Sequence, residues 1–276
     1  LKHIEHPEDT ILTGDLSALN WFTTQGKLSL KIDGCPAVFW GTNPANGKFF
    51  VGTKSVFNKV KKMICHSHKE INILYADKKF LADKLHACFD YLPRTDNIYQ
   101  GDFIGYGGDD LYKPNTLLYL FPDKINHKII VAPHTEYVST GKSLLETYAL
   151  PLQTPLRSTY EGVLFMQCES VGKFQDDVRD RVQFAKQMAT MVEFVDNKKS
   201  QELKKTFNHC IRLGQRFTED NIVRIAREHN VDINLMRLWK LVRAIKLDAL
   251  KLCKNNAWWM SFDDLDEVDG EGYVMW

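Results

Sequence analysis

The sequence predicts an α+β fold, an antiparallel-sheet core interrupted once by a helical insertion. Three observations carry this expectation. Alternating and apolar runs bounded by turn residues fill the first 170 positions. A proline-free stretch with apolar residues at three- and four-residue spacing runs from Phe174 to Lys254. Strand character then returns near the C-terminal end, so two β portions flank one helical block. The expected organisation is a core over 1–170, a helical insertion over 171–257, and a return to the core over 258–276.

Taken in order, Lys27 to Lys31 alternates as a half-buried strand should, and Ala37 to Trp40 is a continuous apolar run. The turn Asn43-Pro-Ala-Asn-Gly47 joins that run to Lys48–Val51, and Asn-Gly between two apolar runs is a strong hairpin signal. Residues 69–92 carry Ile71, Leu74, Leu81, Leu85 and Cys88 at helical spacing and stop at Pro93. Strands are expected over 98–106, 116–121, 128–131 and 160–167. In the helical block Thr218-Glu-Asp-Asn reads as a helix start, followed by the stripe Leu235, Leu238, Trp239, Val242, Ile245. Residues 270–276 return to strand character.

Composition narrows the class of protein. The 276 residues are 44% hydrophobic, which supports a buried core and excludes a disordered chain. With 36 Lys+Arg against 35 Asp+Glu the net charge is +1, so any polyanion partner needs a local patch. No apolar run is long enough to span a membrane, and the first residues lack a signal-peptide core, so no membrane partner is expected. The six cysteines form no CxxC pair and read as reduced thiols of a cytoplasmic protein. Cys65-His66-Ser67-His68 offers three possible metal ligands, but no second cluster accompanies it at zinc-site spacing, so it reads as the start of a helix.

The chemistry concentrates around Lys31-Ile-Asp33-Gly34. Lys31 ends an alternating strand just before an apolar run, where a lysine is costly unless it is partnered or exposed in a cleft. An amine in such a place is a candidate nucleophile. The hairpin's return strand leads into Gly52-Thr-Lys-Ser55 and brings a second cation, Lys54, to the same neighbourhood. Asp102 interrupts the apolar strand Tyr99–Phe103, and Glu271 opens Glu271-Gly-Tyr-Val274. Two acids placed in strands around a lysine suggest a site for a hard metal ion and phosphate.

In this order (Lys-x-Asp-Gly, a basic strand, an acid in a Gly-Asp strand, Glu-Gly-x-Val) the residues resemble motifs I, Ia, III and IV of the covalent nucleotidyltransferase superfamily. That superfamily contains the ATP-dependent DNA and RNA ligases and the mRNA-capping enzymes, and the sequence looks most like a bacteriophage ligase-like branch. The resemblance covers 1–170 and 258–276. It implies a ligase-type core in which Lys31 attacks the α-phosphate of ATP and carries AMP covalently. Leu30, Ile32, Asp33, Gly34, Lys54, Asp102, Glu271 and Val274 would line the nucleotide site, with Asp102 and Glu271 holding Mg²⁺ or Mn²⁺.

The implied reaction joins nucleic-acid ends, RNA in preference to DNA, one bearing a 5′-phosphate and the other a 3′-hydroxyl. Two alternatives follow from the same residues: a GTP-dependent capping-type enzyme, and a degenerate ligase fold that binds nucleic acid or protein. A second Glu-Gly pair, Glu161-Gly162, competes for motif IV, but Leu164 stands where the motif has valine, so Glu271 is favoured. The family's adenine-stacking aromatic has no clear match; Lys128–Tyr137 takes its place, where His134 or Tyr137 could act in its stead but read as structural. The lysines of motif V would follow Glu271, so the chain reads as truncated at Trp276.

Trp239, Trp258 and Trp259 could stack on bases but read as core. The Lys/Arg row over 198–246 is interleaved with acids and reads equally as a solvated helix face or as a surface for nucleic acid or a protein partner.

Overall fold

The computed structural model describes residues 5–23, 27–152, 154–172, 176–251, 253–254, 256–268 and 271–275. Phe174, Gly270 and Trp276, which the sequence places at the ends of the helical block and of the last strand, lie outside them. The fold is α+β with mainly antiparallel sheets. It divides into two compact units, one of Ser29–Glu169 with Asn255–Val274, the other of Ile4–Leu28 with Ser170–Lys254.

The first unit is built on a six-stranded sheet. Its order is Phe49–Gly52, Ala37–Thr42, Ile98–Tyr106, Ile129–Ser139, Thr147–Pro151, with Val163–Phe165 lying parallel to Ile129–Ser139. The hairpin forms where Asn-Gly placed it. Gly47 takes the left-handed φ of 69° that the turn requires, and Asn43 N–H donates to the Lys48 carbonyl at 2.9 Å. Trp40, Val51, Phe103, Val131 and Phe165 fill one face, closed by Ile71, Leu85 and Cys88 from two helices and by Tyr75 between them. Complete burial of such side chains contributes about 1.5–3 kcal/mol each relative to exposure.

A second, four-stranded sheet joins Leu111–Tyr112, Leu118–Leu120, Met260–Asp263 and Asp266–Val268. Its core gathers Leu30, Ile32, Ile104, Tyr119, Phe121 and Trp259. Trp259 is therefore core, whereas Trp258 stays half-exposed against the Phe121 ring.

The helix expected over 69–92 is two helices, His68–Leu74 and Lys79–Tyr91. The break falls at Tyr75, whose ring is buried and whose hydroxyl hydrogen-bonds Thr53 Oγ1 and Ser55 Oγ, each at 3.2 Å. Ser67 caps the first helix, its hydroxyl accepting from Glu70 N–H, while Cys65 is buried with its thiol pushed up to about 12 by burial. The strand Thr147–Pro151 had no sequence signal; it pairs with Thr135–Ser139 along the sheet edge.

The second unit is helical: Asp176–Ala189, Asn197–Arg212, Glu219–His229 and Ile233–Leu250. Thr218 caps the third helix through its side chain, as its sequence signature implied. Trp239 is buried, stacked on Phe207 with centroids 3.9 Å apart.

The described segment 5–23, expected in the core, packs instead with these helices. Ile11, Leu19 and Phe22 bury against Val178, Val182, Leu238 and Val242, and Trp239 Nε1 donates to Asp9 at 2.9 Å. Apolar residues so short a distance from the N-terminus carry no periodicity that names their partner. Many cations of the basic row pair inside the unit: Lys199 with Glu202, Arg224 with Glu228, Arg237 with Glu219, Lys204 with Glu5 and Lys246 with Glu8. No helix among the described residues is long and apolar enough to cross a membrane.

Candidate active site

The backbone fixes Lys31 from two sides. Leu30 N–H donates to the Cys168 carbonyl at 3.0 Å, and Lys31 N–H donates to the Gly272 carbonyl at 2.7 Å. Gly272 has a φ of 113°, a conformation that favours glycine, and so the residue before it is held beside Lys31. The result is an ion pair between Lys31 Nζ and Glu271 Oε2 at 3.6 Å. The lysine side chain is 51% exposed and the glutamate 15%, so the amine is presented to solvent from an almost buried acid.

Beyond Lys31 the chain runs close along Asp102–Phe103. Gly34 N–H points to Asp102 Oδ2 at 3.4 Å, Cys35 N–H donates to the Phe103 carbonyl at 3.1 Å, and Ala37 pairs with Asp102. A Cβ on Gly34 would lie 2.6 Å from the Phe103 carbonyl oxygen, so this approach needs glycine. Asp33 is held by two residues without a local sequence signal. Asn115 Nδ2 donates to its carboxylate at 2.6 Å, and Asp33 N–H donates to the Tyr119 hydroxyl at 3.2 Å. Lys84 was also silent in the sequence; its ammonium donates to the Cys35 carbonyl at 2.6 Å and lies 5.1 Å from the Phe103 ring centroid.

His134 comes from the neighbouring strand, its Nε2 3.9 Å from Asp102 Oδ1 and its Nδ1 2.6 Å from Thr135 Oγ1.

The structure thus brings together Lys31, Asp33, Gly34, Asp102 and Glu271, with Asn115, Tyr119 and His134 around them. Leu30 and Ile32 are buried in the second core, where they anchor the chain on either side of Lys31. Val274 is half-buried in Tyr273–Met275. Lys54 is exposed and begins the turn Lys54–Phe57. It leaves the sheet at the end where Ala37 and Asp102 pair, since Gly52 lies opposite Phe39. Glu161 is exposed at a turn with a φ of 55°, and its carbonyl accepts from Lys128 N–H.

Three carboxylates against one lysine make this a site of excess negative charge. Burial, and then the charge of Asp33, push the Asp102 carboxyl up to about 7. The same two causes, in the same order, raise Glu271, with Lys31 opposing them. Burial first and the Lys31 cation second push the His134 imidazole down to about 4. Both shifts disfavour the charged forms, so the 3.9 Å contact is better read as one between a carboxyl and a neutral imidazole than as an ion pair.

A pH prediction follows. Asp102 keeps its proton in the folded state above its ordinary 3.8, so folding binds a proton and stability falls as pH rises from about 4 to 7. His134 refuses a proton that the unfolded imidazole takes below its ordinary 6.5, so stability falls as pH drops from about 6.5 to 4. The two slopes oppose each other where they overlap. Melting curves at successive pH are expected to show Asp102→Asn gaining stability from about pH 4 to 6.5, and His134→Gln losing it over about pH 4 to 7. Each slope is at most about 1.4 kcal/mol per pH unit. Parallel profiles for the two variants would overturn both assignments.

Glu271 Oε1 is buried and has no hydrogen-bond partner among the described residues. A buried, unpartnered carboxylate oxygen beside carboxyls raised by burial and by the charge of Asp33 fits a hard cation. Among the described residues no group of three or more His, Cys, Asp or Glu is set to hold a metal by itself. Mg²⁺ does not need one, since it prefers one or two carboxylates with water and phosphate oxygens.

No curated protein and no solved structure matches the chain. A family model does match, over residues 2–230, which include Lys31, Asp33, Asp102 and His134 and stop before Glu271. The chain belongs to that family, DUF6267, described as a family of unknown function.

Proposed function

We propose that this protein is an ATP-dependent polynucleotide ligase, acting on RNA in preference to DNA through a lysyl-AMP on Lys31. The observation that carries the proposal is the half-exposed Lys31 amine 3.6 Å from Glu271, at the mouth of a three-carboxylate cluster. The resemblance to nucleotidyltransferase motifs supports the same residues, and phosphoryl transfer asks mainly for positioning and charge neutralisation.

In the first step Lys31 Nζ sheds a proton to water and attacks the α-phosphorus of ATP. A nitrogen–phosphorus bond forms, the bond to the bridging oxygen breaks, and pyrophosphate leaves. A 5′-phosphate oxygen of the nucleic acid then attacks the same phosphorus and releases the lysine. A 3′-hydroxyl finally displaces AMP and seals the strand. Asp102 and Glu271 would hold Mg²⁺, or Mn²⁺ in its place, which supplies neutralisation of phosphate charge. Asp33, fixed by Asn115 and Tyr119, shapes the turn that presents Lys31. Lys54 is the second cation for the nucleotide. Cys35, Cys65, Cys88 and Cys210 are free thiols, in keeping with the proposed cytoplasmic setting.

The test is incubation with α-labelled ATP or α-labelled GTP in Mg²⁺, followed by denaturing electrophoresis. Covalent label from ATP is expected, with little from GTP. Label from GTP alone would make the protein a capping-type enzyme. No label from either would leave the binding-module reading and end this proposal.

A further inference from the structure

The helices His68–Leu74 and Lys79–Tyr91 carry a second constellation outside the Lys31 site. His68 and Asn72 lie four residues apart on the first, His86 and Asp90 four residues apart on the second, and each pair therefore shares one helix face. The two faces meet crosswise. His68 Nε2 bonds Asp90 Oδ1 at 2.8 Å, His86 Nε2 bonds Asn72 Oδ1 at 2.9 Å, and the two Nδ1 atoms face each other at 2.6 Å.

The tautomers follow from these partners. A carboxylate oxygen and an amide oxygen can only accept, so both Nε2 atoms carry hydrogen. In the neutral rings both Nδ1 atoms are then bare lone pairs, and two bare lone pairs at 2.6 Å repel. Something electron-poor belongs between them, either a shared proton or a metal ion.

We propose that His68 and His86 bind a divalent first-row transition ion of the Zn²⁺ type through their Nδ1 atoms, with water completing the coordination. Imidazole suits such ions, and ligating histidines characteristically donate their other N–H to a carboxylate or carbonyl oxygen. Here Asp90 and Asn72 play that part, each supplied by the helix opposite the ligand it orients. Tetrahedral Zn–N bonds of about 2.0–2.1 Å ask for an N···N separation of about 3.3–3.4 Å between neighbouring ligands. Opening the pair by less than about 1 Å reaches this, and the His68 side chain, 47% exposed, has room to move and access to water.

His66, close by in sequence, is excluded as a ligand. Its Nδ1 faces Glu70 at 3.1 Å, and its Nε2 lies 3.1 and 3.3 Å from the Asn43 and Asn46 amide nitrogens, which occupy its lone pair.

The experiment is Zn²⁺ titration of the whole protein by calorimetry, with ¹⁵N NMR of the histidine rings. One equivalent is expected, with both Nδ1 signals moving to the metal-bound range. His68→Gln and His86→Gln should each lose that equivalent. Asp90→Asn removes no ligand and should weaken binding about 10–100-fold at unchanged circular dichroism, which separates lost orientation from lost folding. Zn²⁺ binding that persists in the two glutamine variants would overturn the proposal. So would a wild-type protein that takes up no Zn²⁺ and shows a proton shared between the two rings.

Discussion

Lys31→Ala is expected to abolish covalent labelling by α-labelled ATP, a loss on the order of a thousandfold or more, because it removes the attacking atom. Lys31→Arg should do the same: a guanidinium stays protonated and offers no free electron pair. Neither change should cost much stability. The side chain is half-exposed, and its partner Glu271 is already raised by burial and by Asp33. Surface substitutions of this kind usually fall within about 0.5 kcal/mol. Melting curves that match wild type, beside a labelling gel that is blank, would place the loss in chemistry. Label retained on Lys31→Ala would sink the proposal.

Glu271→Gln is expected to lower the labelling rate on the order of a hundredfold or more, while Glu161→Gln stays within about threefold of wild type. Geometry separates the two acids. Glu271 reaches Lys31 at 3.6 Å and is held there by the Lys31 N–H bond to Gly272. Glu161 is exposed on a turn, held through its backbone carbonyl, which accepts from Lys128 N–H. Single-turnover labelling rates of the two variants decide between them. The reverse order of effects would move the acid of motif IV to residue 161 and detach Glu271 from the reaction.

What the sequence disclosed was local. The Asn43–Gly47 hairpin, the Thr218 cap and the helical stripe through Leu238, Val242 and Ile245 each rest on neighbours a few positions away. Asp102 was legible as a charge inside an apolar strand, and Lys31, Asp33 and Glu271 as charges in Lys-x-Asp-Gly and Glu-Gly-x-Val at the ends of strands. The missing parts were long-range. Asn115 and Tyr119 grip Asp33 from a distant loop and strand, Lys84 reaches Cys35 from a helix, and the approach of His134 to Asp102 joins two strands. The helix break at Tyr75 depends on a hydroxyl bonding Thr53 and Ser55, which no periodicity within 69–92 encodes. The His68–His86 pair was equally hidden. Its members belong to two helices, and the cluster Cys65–His68 drew attention to Cys65, which is buried, and to His66, whose lone pair is taken.

The central claim is that Lys31 carries AMP. The most direct measurement is proteolysis and mass spectrometry of the wild-type protein after reaction with ATP and Mg²⁺. AMP on the peptide containing Lys31, and on no other lysine, is the expected result. AMP found on Lys54 or Lys84 instead, or on no peptide at all, would contradict it.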